Sequence, residues 1–401
     1  MVIGIDASRA FDKERTGTEN YSFALINALA KLKTKTQFIV YLRPNSNIDQ
    51  KDWPDNFRFV TLSLPRLWTQ VGLAAATFIY KMDVLFVPSH TLPVIHSRNL
   101  KTVVTVHDLG AEYLPKTHQL KQRLYLKWIT NFQLKSATKI IAVSNATKND
   151  LIQKVHIPSS KIEVIYEGVN REVFRVIKDD ILRDVLKHFD VEDQKYFLFV
   201  GTIQPRKNLI RLIEAFSRFT AGPVSSVSLV RPHPDLIGTA VEARDPSSLP
   251  PASLKLVLVG AKGWMFDQIY ALPKKLGIED KVKFLGRVSD TELATLYRGS
   301  KGLVYPSLFE GFGLPILEAF ACGCPVLTSN ISSMPEIAGE AAILVDPYSV
   351  DDIVKGMIRI INQELRVRLI KAGLAQVDKF SWENCAQKTL AVLEEVANAT
   401  S

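Results

Sequence analysis

The stretch from Val304 to Pro347, VYPSLFEGFGLPILEAFACGCPVLTSNISSMPEIAGEAAILVDP, restricts the fold more than any other part of the chain. Gly302-Leu303-Val304-Tyr305-Pro306 reads as a strand, followed by a loop holding Gly311 and Gly313 and then a helix opened by Pro315. Proline suits the first helical turn because its missing N–H would find no intrahelical acceptor there. Ile316, Leu317, Ala319, Phe320 and Ala321 carry the helix to a stop at Gly323, and Pro325-Val326-Leu327-Thr328 reads as the next parallel strand. Such a unit leaves backbone amides and the positive end of a helix dipole at the carboxyl edge of a sheet, a place suited to a diphosphate.

Two carboxylates bracket that place: Glu310 in the loop and Glu318 one turn into the helix, with seven residues between them. A carboxylate repels phosphate, so its useful partners are hydroxyl groups such as those of a ribose or a hexose. The plainer reading makes Glu310 a solvated loop charge and Glu318 an acid favoured early in a helix. A second constellation, Gly201-Thr202-Ile203-Gln204-Pro205-Arg206-Lys207-Asn208, also follows a strand and precedes a helix. Arg206 offers a planar fork and Lys207 a point charge, and both can reach a diphosphate. His107, in Val106-His107-Asp108-Leu109, ends another strand.

Strand-like runs recur at Met1 to Asp6, Gln37 to Tyr41, Val84 to Val87, Thr102 to Val106, Lys139 to Val143 and Lys161 to Ile165, with helical patterns between most of them. A second set runs through Tyr196 to Val200, Leu256 to Gly260, Val282 to Leu285, Gly302 to Tyr305 and Pro325 to Thr328. Alternation of this kind predicts an α/β chain of two Rossmann-like, doubly wound parallel-sheet domains. The loop Ala7 to Glu19 precedes a helix expected from Asn20 to Leu32, and Ser144 caps a helix after the Lys139 strand. The linker is expected near residues 168–190, and Thr220 to Ser253, rich in Pro, Ser and Gly, reads as a surface insertion of unknown role. An amphipathic helix from Trp382 to about Val396 ends the chain.

Length and composition fit this division. A chain of 401 residues, 47% hydrophobic and 23% charged, suits two globular domains. Cys322, Cys324 and Cys385 are too few for a disulfide framework or a zinc site and read as small buried residues in a reducing cytoplasm. No secretory signal is visible, and the longest apolar run, Val71 to Tyr80, falls short of the ~20 residues needed to span a bilayer. The whole net charge of +9 lies in residues 1–190, which carry 27 Lys and Arg against 18 Asp and Glu. That bias predicts contact with something anionic, a phospholipid surface or a lipid-diphosphate acceptor, unless it is incidental. Leu120 to Phe132 mixes cations with large apolar residues and either lies on a membrane face or packs on its own sheet.

The Glu310-to-Glu318 stretch, with its Gly-Phe-Gly-Leu-Pro turn, resembles the signature of the retaining, nucleotide-sugar-dependent glycosyltransferases of family 4, and the resemblance covers nearly the whole chain. It implies the GT-B architecture, two Rossmann-like domains facing across a cleft: residues 1–180 on the acceptor side, residues 190–380 holding the nucleotide sugar, and a last helix, about 382–401, returning to the first domain. It further implies that Glu318 holds the ribose and Glu310 the donor hexose. Backbone amides of Gly311, Phe312, Gly313 and Leu314 would touch sugar and phosphate, Lys207 would bind the diphosphate, His107 would lie near the donor sugar, and the loop at Gly17 would cover the site. Arg287 and Val288, after Gly286, are the expected region of base selection. Many members carry an Arg where this chain has Thr202, which leaves open whether Arg206 takes over that contact.

The expected reaction transfers a hexose, read as mannose from GDP-mannose, to a hydroxyl of a glycan or lipid-linked saccharide. No metal or other cofactor is expected, since the leaving diphosphate takes the acceptor proton. The Gly-Thr-x-x-Pro-Arg-Lys-Asn segment resembles bacterial mannosyltransferases of surface polysaccharide synthesis. A glucosyltransferase or sugar synthase using UDP- or ADP-glucose stays open. The other reading, a non-catalytic basic binding module, lacks an aromatic-basic nucleic-acid motif, so no nucleic acid partner is expected. The expected place is the cytoplasm, peripheral at the inner face of the plasma membrane.

Overall fold

The computed structural model describes residues 1–12, 15, 17–44, 46, 48–64, 67–89, 91–109, 132–177, 179–221 and 254–399. They form two compact units, the first made of Met1–Asn170, Glu310–Leu314 and Lys379–Ser401, the second of Arg171–Phe309 and Pro315–Asp378.

The first unit is built on seven strands: β1 (Val2–Asp6), β2 (Gln37–Leu42), β3 (Phe57–Thr61), β4 (Val84–Val87), β5 (Lys101–Val106), β6 (Lys139–Ala142) and β7 (Ile162–Val164). They lie in the order β3-β2-β1-β4-β5-β6-β7, every neighbouring pair parallel, with Ile3 opposite both Phe38 and Val84. Val84 to Val87 and Val103 to Val106 are buried throughout, the continuous apolar pattern of strands covered on both faces. Helix Gly17–Ala30 packs against helix Trp382–Asn398, which also meets β4 and β5. Ser381 caps that last helix by accepting a hydrogen bond from the backbone N–H of Asn384, and Cys385, Ala386, Leu390, Leu393 and Val396 fill its buried face.

Six strands make the second unit: β8 (Tyr196–Val200), β9 (Lys255–Val259), β10 (Val282–Gly286), β11 (Gly302–Tyr305), β12 (Val326–Ser329) and β13 (Ala342–Val345). Their order is β10-β9-β8-β11-β12-β13, again all parallel. Helices Leu209–Thr220 and Val350–Ile360 pack on each other, and Asp290–Gly299 opens with a capping box between Ser289 and Glu292. The doubly wound α/β class expected from the alternation is therefore the observed one.

Several local expectations need correction. The first helix begins at Gly17 instead of Asn20, because Thr18, Glu19 and Asn20 already take helical backbone, so the loop after β1 is shorter than read. Helix Asp179–His188 occupies part of the expected linker. Strands β3 and β13 were not anticipated; each is the edge of its sheet and only partly buried, so its apolar signal is weak. Residues 222–253 of the expected insertion and residues 120–131 of the basic, apolar helix lie outside the described residues. All three cysteines are free and buried, as expected. Among the described residues no helix is long and apolar enough to cross a membrane.

Candidate active site

In the second unit the strand order reverses between β8 and β11, so the loops leaving these neighbours turn to opposite sides and open a crevice at their carboxyl ends. Both expected motifs leave the sheet there. After β8, Gly201 takes φ +146°, and a Cβ at this position would come within 3.3 Å of Lys207 Cε. Glycine thus provides both the backbone conformation and the room for the lysine. Pro205–Lys207 forms one 3₁₀ turn, after which the left-handed Asn208 leads into helix Leu209–Thr220. Asn208 donates from Nδ2 to the carbonyls of Pro306 (3.0 Å) and Pro347 (2.6 Å), and the Leu308 N–H donates to the Arg206 carbonyl at 3.0 Å. These bonds lace the turn to the loop after β11.

Lys207 is not a solvated cation at a helix start. It is 7% exposed, and its Nζ donates to the hydroxyl of Tyr305, the last residue of β11, at 2.8 Å. An ammonium buried this far costs free energy that its polar partners must offset, which makes the position costly to keep for surface charge alone. Arg206, beside it, is half-buried.

The loop after β11 runs into helix Leu314–Ala321, with Pro315 in its first turn. Glu318 faces Tyr297, whose hydroxyl donates to Oε2 at 2.9 Å. Burial pushes the Glu318 carboxyl up to about 7, against the opposing pull of the Tyr297 hydrogen bond. Near neutral pH this carboxyl therefore stands between its two protonation states.

Glu310 to Leu314 belong to the first unit, where Glu310 is buried. The Gly311 carbonyl accepts from Ser144 Oγ (2.6 Å) and Thr147 Oγ1 (3.3 Å), and Thr147 Oγ1 also lies 3.1 Å from the His107 carbonyl. A Cβ on residue 311 would stand 1.7 Å from the His107 carbonyl oxygen, so only glycine fits. The rings of Phe312, Tyr166 and Phe380 cluster together, the Phe312 centroid 6.3 Å from Tyr166 and 6.0 Å from Phe380. His107 is buried at the end of β5: Nδ1 is 3.3 Å from Glu167 Oε1, Nε2 is 2.9 Å from the Pro88 carbonyl, and the Tyr21 ring meets it edge-on at 4.5 Å. A side-chain hydrogen bond from His107 to a nearby sugar would require it to give up one of these partners; its carbonyl shapes the Gly311 loop directly.

Hence the structure gathers Arg206, Lys207 and the strand leading to Glu310 at one sheet reversal, and His107 with Gly311 at the end of β5. Gly17 is the exposed first residue of its helix. Arg287 is exposed and Val288 half-buried just beyond the edge strand β10, two strands from β8. Sequence reasoning missed Tyr305, Tyr297, Asn208, Thr147 and Glu167. Ser144 was read only as a cap, which it is, its Oγ accepting from the Thr147 N–H.

The profile of the glycosyl transferases group 1 matches residues 247–376, and that of glycosyltransferase family 4 matches residues 15–173. The O-antigen chain mannosyltransferase B of Escherichia coli is 31% identical over 78% of this chain and 74% of its own length. The serotype-specific mannosyltransferase WbdA of the same species is 32% identical over 71% of the chain, but the chain spans only 32% of that protein. Among solved structures, sucrose-phosphate synthase from Thermosynechococcus elongatus shares the fold at a TM-score of 0.73 and 20% identity, each chain covered completely.

Proposed function

Because the chain belongs to the group 1, family 4 glycosyltransferases and has their GT-B fold, we propose that it moves mannose from GDP-mannose to a hydroxyl of a glycan or lipid-linked saccharide. The observation that carries this reading is the buried Lys207–Tyr305 contact at the sheet reversal, in a chain where Glu310 and Glu318 bracket the adjoining loop. Residues 1–180 with the last helix take the acceptor side, and residues 190–380 hold the nucleotide sugar. Similarity to mannosyltransferases, one of them an enzyme of the O-antigen chain, supports mannose as the sugar and a glycan as the acceptor.

In this mechanism the donor diphosphate lies over the amide groups at the start of helix Leu314–Ala321, where the dipole favours negative charge. Lys207 and Arg206 meet that charge as it grows in the transition state. Glu318 accepts from the ribose hydroxyls and Glu310 from hydroxyls of the hexose, while the amides of Gly311 to Leu314 hold the sugar against the leaving group. Arg287 and Val288 frame the base, and the expected role of Gly17 is a backbone contact to the donor. The acceptor oxygen bonds to the anomeric carbon on the face the diphosphate leaves, with retention. Its proton passes to the departing phosphate oxygen, so no resident metal takes part. The basic first half of the chain suits a peripheral position on an anionic cytoplasmic membrane face.

A thermal-shift screen of GDP-mannose, UDP-glucose and ADP-glucose tests the reading. GDP-mannose should raise the wild-type midpoint, and Lys207→Ala and Glu318→Gln should each reduce the rise. A rise undiminished in both variants, or none with any donor, would overturn the site assignment.

A further inference from the structure

The buried contacts of His107 impose a proton count. A carbonyl oxygen only accepts, so Nε2, 2.9 Å from the Pro88 carbonyl, carries a hydrogen. Nδ1 faces a carboxylate oxygen of Glu167 at 3.3 Å, and a bare Nδ1 would set two lone-pair acceptors against each other inside the protein. A neutral imidazole has one N–H, so the pair must hold one proton more than a neutral ring beside a carboxylate. Glu167 is 4% exposed and His107 8%, so water does not relieve the conflict.

The surroundings decide where that proton resides. In water, imidazole binds a proton about two pH units more strongly than a carboxylate. Tyr21 faces the ring from helix Gly17–Ala30, and Cys385, from the last helix, faces Tyr21 and Glu167. Burial pushes both of these groups upward, which keeps them neutral.

We propose that His107 and Glu167 form a buried ion pair in which both ring nitrogens of His107 are protonated. Glu167 is then the positioning residue that fixes the charge and orientation of His107 where its carbonyl meets Gly311. Burying both charges together is tolerable because each nitrogen has an acceptor, whereas deleting Glu167 would strand the cation. The catalytic consequence rests on the transferase reading: a fixed positive group beside the Glu310–Leu314 loop favours the charge that collects on the leaving diphosphate.

The test uses the full-length protein with ¹⁵N-labelled histidine, the signal of His107 among the seven histidines being assigned by its absence in His107→Asn. At pH 7 the wild type should show two protonated ring nitrogens. Glu167→Gln keeps the shape and can donate its amide hydrogen to Nδ1, so it should convert the signal to a neutral ring protonated only at Nε2. Turnover should then fall by about 10- to 100-fold, the range for losing a group that orients a site residue, with little change in donor KM. A neutral ring in the wild type, or a spectrum unchanged by Glu167→Gln, would overturn the ion pair. The spectrum needs no substrate, so failure of every donor to bind would count against the transferase reading alone.

Discussion

At the scale of single residues, Glu318 makes the sharpest prediction. In the proposed site its carboxyl, pushed up to about 7 by burial, would accept hydrogen bonds from two ribose hydroxyls best when ionised. Donor affinity measured by calorimetry should therefore weaken as pH falls through 7, by about tenfold at pH 6, and Glu318→Gln should remove this dependence along with most of the affinity. Stability runs the other way for the donor-free protein: the raised carboxyl contributes fully below the ordinary glutamate value, and that contribution is lost as pH rises through about 7. Gly311→Ala places a methyl group 1.7 Å from the His107 carbonyl, so the backbone must move; the melting midpoint should drop by an amount equivalent to about 2 kcal/mol or more. Glu310, Glu318, Lys207 and Gly311 stand out in the sequence because they sit in a recognisable spacing. Glu167 and Tyr305 do not, since their partners, His107 and Lys207, are 60 and 98 residues away and only the fold unites them.

Among the elements, the sequence was most legible where strands are buried on both faces. Tyr196 to Val200 and Val84 to Val87 are unbroken apolar runs in the middle of their sheets, and both were read correctly. At the edges the signal fades: in Phe57–Thr61 only Phe57 is buried, Phe59 and Val60 being half-buried and Arg58 and Thr61 exposed, and Ala342–Val345 is short and partly open. Helix Asp179–His188 was hidden because its charged residues look like linker composition. The element that turns fold into site is the capped start of helix Asn145–Asp150. Its cap residue, Ser144, donates a hydrogen bond to the Gly311 carbonyl while accepting one from the Thr147 N–H. Ser144→Ala removes both, and should cost about 1–2 kcal/mol in denaturant unfolding. Turnover should fall further than that loss alone explains, because the loop carrying Glu310 is released.

For the whole molecule, alternation of strands and helices was enough to predict two parallel sheets, since parallel neighbours need crossover helices. Their strand orders, and with them the crevice between β8 and β11, were not readable, because order depends on which crossovers skip a neighbour. The last helix is held mainly by apolar burial. Leu393, fully buried in it, should cost about 2–5 kcal/mol on substitution to alanine, measured by urea unfolding. That helix also makes the first unit discontinuous along the chain, assembled from residues 1–170, the 310–314 loop and residues 379–401. A recombinant piece ending at Asn170 would leave the apolar faces of β4, β5 and helix Gly17–Ala30 bare and should aggregate. A synthetic peptide spanning 379–401, added in trans, should restore its solubility, so that the folding of this unit could be set by a titrated fragment.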